Sequence, residues 1–479
     1  MAETKWVDWF FAASAMPLYA ASQTSVEMGK TWGAGYGVTI ITIDSGKGRW
    51  SSPKGKMLQI GEIAIRKLKD PKFKRKVWRQ FEGACSSLEK IFGKIDRENL
   101  ASLEDRSLFK LYRELYAGYY RLWDASIFVD GIPIYGESIL IGLHGEKGNK
   151  LTSDKARLLS RLLYPTKKSF LARENQERME IARLAVKSRD AKYGQLPAFL
   201  KRKITAHARK WFWIGNNNIT SQRLDAIHFW ELIRGTGEEK AQMAKIALAE
   251  RLKIIAALGL PANAIELVSM MDEFSYFQDR RKEYWIRAIG YLDEVLFEIG
   301  KRKGYPKSAL KNAFPWEIGQ LESGKRISRE ELNARSRFSI TIYRGKIPQI
   351  LVGNKARRKY GEYFGGEALN EELVELHGIC ACAGKVIGRA AILTSARDVP
   401  KLKAGDIMIA PSTDPEYIVA MKKAAAIVTD EGGITSHAAI VSRELGIPCL
   451  VGTKHATKVF RNGEMVELDA NHGVIRRLK

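Results

Sequence analysis

The chain has 479 residues, of which 45% are hydrophobic, so it is long and apolar enough to build two or three domains with sizeable cores. This composition excludes a disordered or fibrous protein. Four scattered cysteines are too few for a disulfide framework, which predicts a reducing, cytoplasmic environment. The net charge is +25; residues 375–479 hold 14 Lys or Arg and 11 Asp or Glu, so +22 falls on residues 1–374. That basic region could steer nucleotides, phosphorylated intermediates or nucleic acid, or it could be a solvated surface.

The first apolar run, residues 9–21, ends in small residues as a signal peptide does. Glu3 and Asp8 flank the run, and Lys5 alone makes a poor basic segment, so we reject a secretory signal. No window approaches about 18 uncharged apolar residues, and the sequence therefore predicts no membrane span.

The next segments predict a small β element followed by helices. Residues 37–44 and 56–65 carry short apolar runs typical of strands. Apolar residues then repeat at helical spacing from Leu103 to Trp123. Further helices are predicted at residues 158–163, 178–186, 242–258 and 284–299, with Gly and Pro between them. The fold class we predict is multidomain, with a mainly α-helical domain with a small β element over residues 1–370.

A histidine motif dominates the last hundred residues. An apolar run ends at Thr429, the pair Gly432-Gly433 permits a tight turn, and Thr435 or Ser436 can cap the helix that follows. His437 then lies in the first helical turn, where free N–H groups favour a neutral imidazole and stabilise an anion attached to it. An isolated Ser-His at a helix start is more often only a cap, so the surrounding residues decide the interpretation.

Those residues closely resemble the signature of the phosphohistidine, or mobile, domain of phosphoenolpyruvate-utilising enzymes, a family that includes phosphoenolpyruvate synthase, pyruvate phosphate dikinase and rifampicin phosphotransferase. The residues that carry the resemblance are Gly432, Gly433, Thr435, Ser436, His437, Ala438, Ala439, Ile440, Arg443, Gly446, Ile447, Pro448 and Gly452, with the preceding segments 402–410, Thr413, Pro415 and 424–430 and the closing segments 463–469 and 473–475. The resemblance covers about one hundred residues, from roughly His377 to Lys479.

The resemblance implies a C-terminal α/β (β/β/α) swivelling domain over residues 371–479, moving on a linker around residues 365–378. It implies that His437 is catalytic and carries a phosphoryl group between two active sites. Gly432, Gly433, Thr435, Ser436 and Arg443 would hold the phosphate oxygens, with the Arg443 side chain folded back toward the glycine loop. This role requires an imidazole that is uncharged and reachable by solvent.

Several pieces of the front region look like the helical substrate-side segment of synthases and rifampicin phosphotransferases. They are residues 17–19, 208–214, 280–283, 314–318 and 333–337. Within them Arg281 and Arg337 could clamp phosphate, and Glu283 and Glu317 could accept the proton of an alcohol. The aromatic residues at 211–213 and 228–230 could stack an aromatic substrate or a base, although a helix-packing core is the simpler interpretation.

The sequence contains no phosphate-binding loop of the Gly-x4-Gly-Lys-Ser/Thr type. The resemblance also implies an ATP-grasp domain, which would not fit ahead of Trp6, and a phosphoenolpyruvate-binding barrel, which would not fit after Lys479, so we expect this chain to lack both. We expect no cofactor on this chain, with ATP and Mg²⁺ on a separate ATP-grasp partner and a small molecule as the phosphate acceptor. We also expect no metal site, because the segment from His377 to Cys382 lacks a second Cys/His pair. Two alternatives stay open: a non-catalytic binding or regulatory protein, and a basic nucleic-acid-associated protein.

Overall fold

The computed structural model describes residues 6–12, 15–45, 47–144, 153–216, 221–235, 248–364, 375–394, 396–413, 417–434 and 436–478. The predicted domain boundary at residues 370 and 371 lies outside these residues. So do most of the predicted linker and the first part of the helix predicted at 242–258.

The N-terminal region is mainly helical, as predicted. Its helices are α1 (Ala15–Glu27), α2 (Gly29–Trp32), α3 (Lys54–Leu68), α4 (Pro71–Ile95), α5 (Asp105–Asp124), α6 (Gly131–His144), α7 (Ser153–Leu162), α8 (Phe170–Leu184), α9 (Ala198–Trp211), α10 (Ala226–Arg234), α11 (Leu248–Leu258), α12 (Ala262–Lys303), α13 (Lys307–Leu310), α14 (Pro315–Gln320), α15 (Arg329–Arg337) and α16 (Gly353–Phe364). The helices predicted around residues 103–123, 158–163, 178–186 and 284–299 are confirmed, and the last of them is only part of the 42-residue helix α12.

The β element of this region is a five-stranded antiparallel sheet. Its strands are β1 (Trp6–Ala12), β2 (Thr39–Asp44), β3 (Lys47–Pro53), β4 (Phe338–Tyr343) and β5 (Gln349–Val352), in the order β1-β3-β2-β4-β5. The strand predicted at residues 37–44 is confirmed as β2. It pairs with β4, from Thr39 opposite Tyr343 to Asp44 opposite Phe338, so the sheet joins two segments about three hundred residues apart.

The strand predicted at residues 56–65 is wrong, because this segment belongs to helix α3. Its buried residues Met57, Ile60, Ala64 and Leu68 recur every three or four positions, which is the period of a helix face. Gly61 lies on the same face, where a Cβ would collide with the backbone carbonyl of Gly131 at the start of α6. The close approach of α3 and α6 therefore depends on this glycine.

The described residues of the C-terminal region form an eight-stranded mixed sheet with three α-helices and a 3-10 helix at Ala396–Lys401. Its elements are β6 (Glu375–His377), β7 (Ile379–Cys382), β8 (Lys385–Ile392), β9 (Ile407–Ala410), α17 (Ile418–Lys423), β10 (Ala426–Thr429), α18 (His437–Leu445), β11 (Cys449–Val451), α19 (Ala456–Val459), β12 (Met465–Asp469) and β13 (Val474–Arg477). The strand order is β6-β13-β12-β8-β9-β10-β11-β7, with β8 to β11 parallel and the remaining pairs antiparallel.

The parallel part of this sheet is buried, since every residue of β9, β10 and β11 is withdrawn from solvent. Strand β10 leads directly to the glycine loop and to α18. In an open parallel sheet, the loops beyond the carboxyl ends of the strands are where ligands bind.

No single helix among the described residues is long and apolar enough to cross a bilayer. The bent combination of α5 with residues 127–143 meets the criteria of length and composition, and half of the residues of α5 are buried in the helical core.

Candidate active site

His437 is the first residue of α18. Ser436 is its N-cap, and the Ser436 hydroxyl accepts a hydrogen bond from the Ala439 N–H at 3.4 Å. The helix ends at Gly446, whose φ of +66° suits a left-handed cap. The positions predicted for the cap, the histidine and the terminating glycine are therefore confirmed, while Thr435 lies outside the described residues.

The loop before this helix needs glycine at residue 432. Gly432 has a φ of +105°, and a Cβ there would lie 2.8 Å from the Cβ of Ser436. The backbone can thus fold closely over the N-cap only without a side chain at this position.

Thr413 orients the imidazole ring. Its hydroxyl lies 2.9 Å from His437 Nδ1, while His437 Nε2 has no hydrogen-bond partner in the described part of the chain and no surface exposed to water. Burial, reinforced by the positive charge of Lys282 on α12, lowers the pKa of His437 from 6.5 to about 3. The ring is therefore neutral, as expected. The residue as a whole is partly exposed, but Nε2 itself has almost no accessible surface, so the expectation that this atom is reachable by solvent is wrong in this arrangement.

Arg443 folds back toward the glycine loop. Its Nη1 donates to the carbonyl of Ile434 at 2.9 Å and to the hydroxyl of Ser160, on α7, at 2.5 Å. Its Nε and Nη2 are buried, with no hydrogen-bond partner within the described segments. This guanidinium thus connects the histidine helix, its loop and the N-terminal region.

Glu137 of α6 lies against Gly433. A Cβ at Gly433 would collide with the Glu137 carboxylate, so the acidic side chain packs directly on the loop backbone. Glu137, Ser160 and Lys282 had no signal of their own in the sequence, although Lys282 falls within the basic segment 280–283. Thr413 was part of the resemblance, but its contact with the ring was not foreseen.

The four substrate-side candidates do not converge on one site. Arg281 pairs with Asp130 at 2.6 Å and Glu283 with Arg173 at 2.6 Å, and both flank Lys282 on α12. Glu317 belongs to a different place, where it pairs with Arg335 and accepts from the Phe314 N–H, and Arg337 is exposed at the end of α15.

The described residues contain no group of three or more His, Cys, Asp or Glu side chains placed to hold a metal ion. Cys380 and Cys382 lie on β7, and His377 ends β6 with its Nε2 3.2 Å from Glu375.

Comparison with known proteins finds relatives of the C-terminal region, in which a mixed sheet is combined with a histidine at the start of a helix. Residues 402–473 match the family described as PEP-utilising enzyme, mobile domain. The C-terminal segment of the chain thus matches the mobile domain of phosphoenolpyruvate-utilising enzymes. Phosphoenolpyruvate synthase of Pyrococcus furiosus is 51% identical over 109 residues, which are 23% of this chain and 13% of the synthase.

The same region matches other archaeal proteins. Probable phosphoenolpyruvate synthases of Archaeoglobus fulgidus and Methanothermobacter thermautotrophicus are 45% and 44% identical over 134 and 115 residues. These segments are 28% and 23% of this chain, and 18% and 17% of the relatives. The chain thus matches less than a fifth of the length of each relative. A solved structure, the solution NMR structure of UPF0107 protein, covers 22% of this chain at 14% identity, and its TM-score of 0.18 supports no conclusion.

Proposed function

We propose that this chain is the phosphohistidine component of a phosphotransferase related to phosphoenolpyruvate synthase. His437 accepts a phosphoryl group from ATP bound to an ATP-grasp partner and passes it to a small-molecule acceptor. The observation that carries the proposal is the neutral ring at a helix N-terminus, fixed through Nδ1 by Thr413, with Nε2 free of protein hydrogen bonds in the described chain.

This geometry selects the nucleophile. In the tautomer where Nδ1–H donates to the Thr413 hydroxyl, the lone pair of Nε2 is available to attack phosphorus. The N–P bond forms as the bond from phosphorus to the leaving oxygen of ATP breaks. The free N–H groups in the first turn of α18 would stabilise the phosphoryl oxygens, and Gly432 and Gly433 would let the backbone approach them.

Transfer onward requires movement. Phosphoryl transfer depends on positioning and electrostatics, so a carrier serves by docking accurately at two places. We propose that the C-terminal domain swivels on the linker around residues 365–378, between the partner that holds ATP and Mg²⁺ and the acceptor site.

On the acceptor side, Lys282 is the cation whose charge acts on His437 and is the best-supported phosphate ligand. Glu283, the next residue, is a candidate proton acceptor because it adjoins Lys282, although its carboxylate also pairs with Arg173 at 2.6 Å. The paired contacts of Arg281 and Glu317 suit structural roles better. The four free cysteines support a cytoplasmic location.

The test is phosphoryl labelling followed by intact mass. The chain is incubated with ATP, Mg²⁺ and an ATP-grasp polypeptide encoded near it, and one acid-labile phosphoryl group is expected. His437→Ala should abolish the label, whereas His472→Ala should keep it, because His472 is an exposed histidine of the same region, its side chain 78% accessible. Labelling that survives His437→Ala contradicts the proposal, and no labelling with such a partner favours the non-catalytic alternative.

A further inference from the structure

The segment just before helix α18, residues 432–434 and 436, which we call the histidine loop, contributes a side chain to the hydrophobic core of the N-terminal region. Ile434, two residues after Gly432, is fully buried, and it belongs to the hydrophobic cluster built by the N-terminal helices and not to the clusters of the C-terminal sheet. Separating the two regions would expose this side chain to water, which opposes opening.

Polar contacts surround that apolar anchor. The Ser160 hydroxyl, 1% exposed as a residue, donates to the carbonyl of Ala381 on β7 at 3.0 Å and accepts from Arg443. Glu137 packs against Gly433, and Lys282 acts on the ring. We call Glu137, Ser160 and Lys282 the docking surface; they come from α6, α7 and α12.

This arrangement covers the reactive nitrogen of the histidine. His437 Nε2 has almost no accessible surface, although the residue as a whole is only partly buried. The same atom is therefore closed to any donor as long as the loop is docked.

We propose that the docking surface is an autoinhibitory seat for the unphosphorylated histidine loop, so that reaction at Nε2 proceeds only through the fraction of molecules in which the loop has left it. The biological meaning of the seat rests on the proposed phosphoryl transfer, but the closure itself does not. A donor has to bind the open form, and its apparent affinity is reduced by the fraction that is open.

Closure is measured without any partner by diethyl pyrocarbonate. This reagent transfers an ethoxycarbonyl group to a neutral imidazole nitrogen and releases ethanol and carbon dioxide, and peptide mass spectrometry follows the rate at His437 alone. In the wild-type chain we expect His437 to react at least about tenfold more slowly than in an unfolded control. A rate equal to that of the unfolded control would overturn the proposal.

Ser160→Ala removes the hydroxyl that joins Arg443 to Ala381 and should accelerate modification of His437 about tenfold, because hydrogen bonds from a charged donor are among the stronger ones. Ser138→Ala is the matched control: Ser138 is exposed on α6 and, among the described residues, its hydroxyl donates to the Tyr135 carbonyl of its own helix, so the rate should not change. Equal rates in the two variants would overturn the proposal.

Ile434→Ala is a second route to the open form, and it should accelerate the reaction even if Ser160→Ala folds poorly. Far-UV circular dichroism identifies a variant that has unfolded. If both variants accelerate the modification of His437 but the chain never takes up a phosphoryl group, the autoinhibitory seat is supported and the proposed carrier function is wrong. If phosphoryl labelling proceeds at the same rate in every variant, the carrier function is supported and the autoinhibitory seat is wrong.

Discussion

His437 combines two properties that its sequence context only partly predicted. The helix start and the neutral ring follow from local chemistry, because a cap residue, paired glycines and an N-terminal dipole act within a few residues. The bond to Thr413 and the charge of Lys282 depend on the tertiary fold, which brings together segments that are 24 and 155 residues away. The sequence predicted the position of this histidine at the helix start, but not the two groups that act on its ring, Thr413 and Lys282.

The lowered pKa of His437 predicts a pH dependence of the closed form. Open chains should titrate near the ordinary value of 6.5, whereas closed chains bind the proton only near 3. Between these values the open form holds a proton that the closed form lacks. The closed form is therefore fully stabilised above about 6.5 and loses stability as the pH falls toward 3.

Carbon-13 NMR of labelled histidine tests this prediction, with the His437 signal assigned by its loss in His437→Gln. The Cε1 shift of the closed chain should stay constant from pH 8 to about 5. A full titration step centred near 6.5 in the folded chain would contradict the burial of this ring.

Elements with clear local periodicity were predictable, and elements built by distant contacts were not. Helix α5 was predicted from its own apolar stripe. Strand β4 pairs with β2, which is about three hundred residues away in the sequence, and no local feature of either segment predicts this pairing. The segment that became α3 misled for a different reason: its apolar residues are dense enough to suggest a strand, while their spacing follows a helix.

The glycines at the two ends of the histidine segment should differ in how they tolerate alanine. Gly446 has an αL conformation with open space around it, so Gly446→Ala should cost about 1 kcal/mol. Gly432 has a φ of +105° and meets the Cβ of Ser436, so Gly432→Ala should cost roughly 2 to 3 kcal/mol.

Hydrogen exchange of residues 437–445 in the full chain measures the difference locally. Tryptophan fluorescence would not report it, since all 11 tryptophans lie within residues 1–374. Equal protection of the helix in the two variants would show that the loop relaxes around a new side chain at residue 432.

At the scale of the whole molecule, the mainly helical front and the mixed C-terminal sheet follow from the sequence. How the two regions meet does not, because α6, α7 and α12 contact the histidine segment and strand β7, which are far from them in the sequence. The substrate-side candidates illustrate the difference: their guanidinium and carboxylate groups are evident from the sequence, but the partners of Arg281, Glu283 and Glu317 are visible only in the fold.

Substitution of Arg281 tests whether this residue stabilises the fold or acts on the substrate. Its guanidinium pairs with Asp130 and also donates to the carbonyl of Ser126 at 3.2 Å, with the side chain 9% exposed. Arg281→Ala should lower the free energy of unfolding by about 2 to 3 kcal/mol, since a half-buried carboxylate loses its partner. Arg337→Ala, at an exposed position, should change it by less than about 0.5 kcal/mol.

Denaturant unfolding followed by tryptophan fluorescence compares the two variants. If Arg281→Ala keeps the unfolding midpoint of the wild type but fails to deliver phosphate to the acceptor, Arg281 is a substrate-side residue after all.

Helix α12 runs without a break for 42 residues, about 63 Å at 1.5 Å per residue, and Lys282 lies near its midpoint. Each end of the helix therefore lies roughly 30 Å along its axis from Lys282. A molecule that binds at either end and shifts the whole helix would move Lys282 relative to His437, and would thereby change how readily the histidine is released without contacting it.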